Sequence, residues 1–322
     1  MDGRPVLVCT ESEDATADLV IAELNRRRVP VLRFDPGRDF PAPVVLAARL
    51  EVGGWSGRLT VGERTADLSA VRALYHRRPS PYPPYPTDGG EQAARFAAQE
   101  NRRGLGGVLG ALPGCLYVSH PQAIARAEYK PAQLSAALRA GFRVPATLIT
   151  NEPMEARAFC AAQPAIYKPL HAAAYEVEGE PAGIWAAPVG AGEVDGAVRH
   201  SAHLFQARVP KVADVRAVVV GEQVFSARIT APPGVVDWRA AYQSLTYEPV
   251  ACPAGTRGAL VRFLAAFGLN FGAFDFAVTA DGAWWFLECN PNGQWAWLED
   301  AAGLPVTTAI ADLLENGASR HE

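Results

Sequence analysis

The chain has 322 residues, 49% of them apolar and 20% charged, with a formal net charge of −4 at pH 7. That length predicts two or three compact units with a sizeable core, and the acidic balance argues against nucleic-acid or anionic-membrane partners. No stretch approaches the roughly 20 apolar residues of a membrane span, and five scattered cysteines, Cys9, Cys115, Cys160, Cys252 and Cys289, are expected as free thiols in a reducing cytoplasm.

In chain order, the start is an α/β unit. Val6–Cys9 and Val31–Phe34 are short apolar strands around an amphipathic helix, Ala17–Arg28. Val45–Val52 and Arg58–Val61 flank Gly53-Gly54, which predicts a hairpin. Ala70–Tyr75 is a further strand, followed by His76-Arg77-Arg78 and a Tyr/Pro-rich loop over 79–86; Glu91–Leu112 is a helix. A unit over 1–120 is expected to close there. Strand Leu116–His120 leads into a second, over 121–210, which holds helix Pro121–Gly141 and strand Thr147–Thr150. A helix starting near Pro153 and strand Ala165–Leu170 with Lys168 follow. A third, over 211–322, holds sheet segments from Val215, helix Gly255–Phe267, a hairpin over Phe271–Asn290 and a closing helix, Pro305–Glu315.

The hairpin carries the chemistry. Asp281-Gly282 is a strong two-residue turn signal. With that turn, Asp275 falls opposite Glu288 and Ala273 opposite Asn290. Asp275, Glu288 and Asn290 then share one face, while Phe274, Phe276, Val278, Trp285, Leu287 and Cys289 form a core face. Carboxylates opposite one another sit roughly 4.5–5.5 Å apart at Cβ and repel. A divalent cation is the simplest remedy, and oxygen donors of this kind suit Mg²⁺ or Mn²⁺ rather than zinc. The alternative is a solvated acidic face, but no lysines accompany the acids and Pro291-Asn292-Gly293-Gln294-Trp295 is unlike a surface turn.

The order Lys130, Lys168, Asp275, Glu288-Cys289-Asn290 resembles the ATP-grasp enzymes. More closely, Ala127–Leu134, Val144–Asn151, Tyr167–Leu170, Asp237-Trp238-Arg239 and Glu288–Trp295 resemble the ATP-grasp maturases of ribosomal peptides, the microviridin-type or graspetide synthetases. The resemblance spans about residues 116–300. It implies an α/β chain with α+β subdomains: an ATP-grasp fold behind a Rossmann-like pre-ATP-grasp domain. It also implies ATP and Mg²⁺ as cofactors, with Mn²⁺ as an alternative metal.

By that resemblance Lys130 and Lys168 contact the ATP phosphates. Gln206 to Lys211 is the adenine-reading hinge, through Gln206, the backbone of Ala207 and Val209, and Lys211. Arg216, Arg228 and Arg239 neutralise the transferring phosphoryl group or clamp a substrate carboxylate. Asp275, Glu288 and Asn290 hold the metal. One departure is the stretch after Lys168, His171-Ala172-Ala173-Ala174-Tyr175-Glu176, which lacks the glycines of a phosphate-covering loop. The implied activity is an ADP-forming carboxylate–amine/alcohol ligase. It activates Asp or Glu side chains of a precursor peptide and joins them to hydroxyl or amine side chains. The implied partners are that peptide with its leader segment and a second copy of the chain as a homodimer. Arg77, Arg78 and the 79–86 loop are candidate peptide contacts, or a plain connection. Two alternatives stand beside this: a ligase for free amino acids or short peptides, and a non-catalytic nucleotide- or peptide-binding protein.

Overall fold

The structure, a computed structural model, describes residues 3–84, 88–171 and 175–317. Val31–Phe34, Val6–Cys9, Ala73–His76 and Leu116–Val118 lie in that order as a parallel sheet. Both faces of such a sheet must be covered. Val6 and Val8 pack with Ala17, Val20 and Leu24 of helix Ala15–Arg26, while Leu7 and Cys9 pack with Leu105, Val108 and Leu109 of helix Gly90–Leu109. The expected hairpin is present as Val44–Glu51 with Gly54–Val61, and Arg64–Asp67 adds a third strand. Tyr85 and Pro86 of the Tyr/Pro-rich loop lie outside the described residues.

The predicted helix over 121–141 is two helices, Pro121–Ala127 and Lys130–Ala140. Pro131 explains the break. A proline fits a helix's first turn, where its missing N–H is not needed, but not its interior. The second helix therefore starts at Lys130, and Gly141, at a φ of 93°, ends it. These helices pack through Ile124, Ala136, Ala137 and Ala140 on the large sheet described next, across the expected boundary at 210/211.

A small antiparallel sheet runs Ala187–Val189, Ala165–Lys168, His203–Ala207, Thr147–Thr150, backed by helix Pro153–Ala162. The large antiparallel sheet runs Thr246–Pro249, Gln223–Thr230, Lys211–Val220, Phe271–Thr279, Trp284–Asn290. Its central strand, Lys211–Val220, is buried on both faces. Ala213, Val215, Ala217 and Val219 meet helix Ala254–Phe267. The alternate positions divide along the strand. Val218 and Val220 join Phe271 and Ala273 in a core shared with the N-terminal sheet and the last helix, Val306–Asn316. Asp214 and Arg216, further back on that face, do not. The charged half of this face is the candidate site.

Candidate active site

Asp275 lies opposite Glu288, and Ala273 opposite Asn290, as the hairpin reading requires. The route differs. Thr279 N–H donates to the Ala283 carbonyl at 3.1 Å, so the loop is Ala280-Asp281-Gly282 rather than two residues, with Gly282 at a φ of 80°. Phe276 consequently faces Phe286, and Leu287 is an extra residue that restores the register before Glu288. Phe286 and Trp284, rather than Trp285 and Leu287, pack into the core.

The carboxylates are not left to repel. Arg216 Nη1 donates to both Asp275 oxygens at 2.8 Å. Glu288 Oε2 lies 3.2 Å from Lys130 Nζ, and Glu288 Oε1 accepts from Arg239 Nη1 at 3.2 Å. Arg239 is itself held by Asp237, through Nε to Oδ1 at 2.9 Å and Nη2 to Oδ2 at 3.2 Å. Its guanidinium lies 5.8 Å from the ring centroids of Trp185 and Trp238. Charge balance between the two acids thus comes from side-chain cations, a remedy that sequence reasoning assigned to a metal.

Lys168, at the end of its strand, is buried beside this group. Burial pushes its ammonium down, as do Lys130 and Arg239, while Glu288 pulls it up. Burial also pushes the Glu288 carboxyl up, but Lys168, Lys130 and Arg239 outweigh it and hold that carboxyl below the usual range. Four cations, Lys130, Lys168, Arg216 and Arg239, thus face three carboxylates, Asp237, Asp275 and Glu288. The excess positive charge in a desolvated place favours an anion.

Among the described residues no three His, Cys, Asp or Glu side chains come together as a metal group. The expected set has two carboxylates and one amide. Its chemistry still suits a hard divalent ion, because Asp275 and Glu288 are buried oxygen donors on one face. Asn290 Nδ2 is turned to Asp275 Oδ2 at 3.4 Å, which leaves its amide oxygen as a further donor.

Gln133 was missed by sequence reasoning. Its side-chain amide accepts from Cys289 N–H at 2.9 Å and donates to the Cys289 carbonyl at 2.8 Å. It pairs with strand Trp284–Asn290 as another strand would, and brings Lys130, one turn earlier on its helix, to Glu288. Its signal was a lone glutamine in an Ala/Leu-rich helix face.

A cleft of about 880 Å³ opens over the site. Lys130, Arg216, Arg239, Glu288 and Asn290 line it, with Trp238, Tyr242 and Trp297 as an aromatic wall and His76, Arg77 and Arg78 contributed by the N-terminal unit. The other expected residues stand outside that lining. Lys168 is buried behind it. Gln206 is buried and donates to Thr147 Oγ1 at 3.0 Å, with its own amide oxygen unpartnered. Ala207 N–H donates to the Ala146 carbonyl, and the Val209 carbonyl accepts from Lys211 N–H, both at 2.8 Å. Lys211 Nζ is held by Asp214 at 2.6 Å and the Val236 carbonyl at 2.7 Å. Arg228 is not brought to the cluster. It faces Val215 and Glu248, on the opposite side of the sheet from Arg216. Arg77 is buried and tied to the protein backbone rather than open to a peptide; Arg78 is exposed. The stretch after Lys168 continues, beyond Ala172 to Ala174, which lie outside the described residues, as hairpin Tyr175–Val177 with Glu180–Ala182. Its turn is Glu178-Gly179, both at positive φ.

Comparison with known proteins fits this geometry. The family model of the MvdD pre-ATP grasp domain matches residues 5–125. Among curated proteins none matches in sequence. The macrocyclase MdnC of Microcystis aeruginosa MRC, solved with its precursor peptide MdnA, superposes with a TM-score of 0.82. The two are 28% identical over 97% of this chain and 100% of that one. Macrocyclase MdnB of the same organism gives 0.79 and 29%, over 98% and 100%. A RiPP-associated ATP-grasp ligase of Chryseobacterium gregarium, solved with ADP and a leader and core peptide, gives 0.84 over 98% of each chain; at 24% identity it speaks for the fold alone. The chain has an ATP-grasp fold; its residues 5–125 are similar to the MvdD pre-ATP-grasp domain, and over nearly its whole length it resembles the macrocyclases MdnC and MdnB.

Proposed function

We propose that the chain is an ADP-forming ligase that cross-links a ribosomally made precursor peptide. The observation that carries this is the partly buried, net-positive group of Lys130, Lys168, Arg216 and Arg239 around Asp275 and Glu288, at the floor of a cleft large enough for a nucleotide and a peptide segment. A carboxylate oxygen of a substrate Asp or Glu takes the γ-phosphoryl group of ATP, releasing ADP. A Ser, Thr or Lys side chain then attacks the acyl carbon, and phosphate leaves with its bonding pair as the ester or amide forms. The protein's part is to position the reactants, to stabilise charge and to exclude water.

In this proposal Lys130 and Lys168 hold phosphate oxygens, and Gln206, Ala207, Val209 and Lys211 form the adenine side. Arg216 and Arg239 face the phosphoryl group and the substrate carboxylate. Asp275, Glu288 and Asn290 hold Mg²⁺, or Mn²⁺ in its place, which when bound screens the phosphate charge. Arg239 is suited to a carboxylate because its fork is already pinned by Asp237 and by the flanking indoles. We also propose the unit boundaries near 120/121 and 210/211, a leader-bearing peptide and a second copy of the chain as partners, and a cytoplasmic setting. The five cysteines are free thiols, which suits that setting. Among the described residues no helix is long and apolar enough to cross a membrane.

The test is co-expression with candidate precursor peptides drawn from genes neighbouring this one, followed by mass spectrometry. The expected result is a loss of one water per link, dependent on ATP and divalent metal. A peptide that keeps its mass, while the same enzyme joins free amino acids with release of ADP, would replace this proposal with the free-amino-acid ligase.

A further inference from the structure

The site rests on the segment Pro291–Trp295, and the N-terminal unit holds that segment from the other side. Gly293 N–H donates to the Asn290 carbonyl at 3.0 Å. A Cβ on Gly293 would come within 2.6 Å of the Ala273 Cβ, 2.9 Å of the Asn290 Cβ and 3.1 Å of Arg216 Nη2. Only glycine fits between the two functional side chains and the strand beneath them. The next carbonyl, that of Gln294, accepts from Arg216 Nη2 at 3.1 Å. Arg216 in turn holds both oxygens of Asp275. Trp295 then closes the segment as a fully buried anchor in the shared core.

From the N-terminal unit, Arg77 reaches the same segment. It leaves the end of strand Ala73–His76, where its own N–H donates to the Cys9 carbonyl at 2.9 Å. Its guanidinium donates through Nη1 to the Asn292 carbonyl and through Nη2 to Gln294 Oε1 at 2.7 Å. Thr16 Oγ1 donates to the same Gln294 oxygen at 2.7 Å. Asp14 Oδ2 lies 3.8 Å from Arg77 Nε and accepts from Thr10 Oγ1 at 2.7 Å, while Asp14 Oδ1 caps the helix that carries Thr16. Arg77 is 1% exposed, so these contacts stand where water competes little.

We propose that Arg77 and Gln294 are positioning residues for the reaction. Through them the pre-ATP-grasp domain sets the segment that fixes Arg216 and Asn290, and so contributes to turnover directly. Neither residue touches the reacting atoms. The consequence for turnover rests on the ligase reading above; the mechanical claim, that the pair pins residues 290–295, does not.

Two measurements test it. Among the described residues the Gln294 side chain is held through its oxygen, as a double acceptor, so Gln294→Glu keeps the contact and Gln294→Leu removes it at similar size. In hydrogen exchange without any ligand, amides of residues 290–297 are expected to exchange faster in Gln294→Leu and in Arg77→Lys than in the wild type and Gln294→Glu. Helix Ala254–Phe267 is expected to stay equally protected in all four. In ADP release with a precursor peptide that the wild type cross-links, normalised to the folded fraction, Gln294→Leu is expected to lose roughly 100-fold in kcat, the scale of a small misplacement of a reacting centre. KM for ATP should stay within about threefold in all four proteins, and Gln294→Glu should recover most of kcat. Unchanged exchange in Gln294→Leu overturns the proposal. So does wild-type kcat in that variant, or an equal loss in Gln294→Glu. A wild-type chain that cross-links none of the candidate peptides strikes the ligase reading instead, and the exchange result then decides the pinning alone.

Discussion

Replacing Glu288 by glutamine separates its counter-ion role from the metal-ligand role proposed for it. Glu288 has both oxygens committed, one to Lys130 and one to Arg239, each at 3.2 Å, and it lowers the cost of keeping Lys168 charged. Glu288→Gln keeps the volume and leaves three cations facing one another. Removing one partner of a buried ion pair costs about 3–5 kcal/mol. Lys130 and Arg239 retain some solvent access, with side chains 19% and 29% exposed, which puts the expected loss near the lower limit, about 3 kcal/mol. Lys168 is expected to give up its proton more readily, because the group pulling its ammonium up is gone. Urea unfolding with and without nucleotide measures this. With ADP and a chelator the variant should gain more stability than the wild type, since phosphate supplies the missing negative charge. With ADP and Mg²⁺ the wild type should gain more, since it alone keeps the full donor set. At a ligand concentration of about 100 times Kd the gain is about 2.7 kcal/mol, well within reach of the method. A ligand-free variant within about 0.5 kcal/mol of the wild type would refute the counter-ion reasoning, because that is the ordinary scatter of a surface change.

Arg228 is the inverse case. It stands on the helix-covered side of the sheet edge with Glu248 at 3.6 Å, so Arg228→Ala should shift stability by less than about 0.5 kcal/mol and leave kcat within about twofold; a loss like that of Arg216→Ala would return it to the site. Asp214 gives a pH signature. Burial pushes its carboxyl from 3.8 up to about 6, with Lys211 pulling the other way. A folded-state value above the unfolded one favours folding below 3.8 and loses that contribution as pH rises through about 6. Between those limits the wild type should therefore lose about 3 kcal/mol relative to Asp214→Asn in urea titrations, and parallel curves for the two proteins would show that Asp214 is not the group responsible.

The hairpin shows where a sequence is informative and where it is not. The pairing of Asp275 with Glu288 follows from a two-residue turn at Asp281-Gly282, yet the loop has three residues and Leu287 is bulged. The two offsets cancel. A pattern was available in Trp284-Trp285-Phe286-Leu287, where four apolar residues run without alternation and so do not choose a face. Packing makes that choice. Phe286 fits among Phe142, Phe263, Phe274 and Phe276, with ring centroids 5.5 to 6.4 Å away, and Leu287 is displaced as the result. The polar face is legible because oxygen-bearing side chains at that spacing have few other uses. Its counter-ions are not, since Arg216 and Arg239 arrive from segments 59 and 49 residues away in sequence, and only the sheet brings them in. The same limit explains Arg77. In the sequence it is one of two arginines before a proline loop, an apparent surface for a peptide. Only the packing of the N-terminal sheet against Trp295 turns one of the pair inward, onto Asn292 and Gln294, while its neighbour stays exposed at the cleft. Local pattern therefore identifies which polar groups share a face, and contacts distant in sequence decide which charged groups come together there.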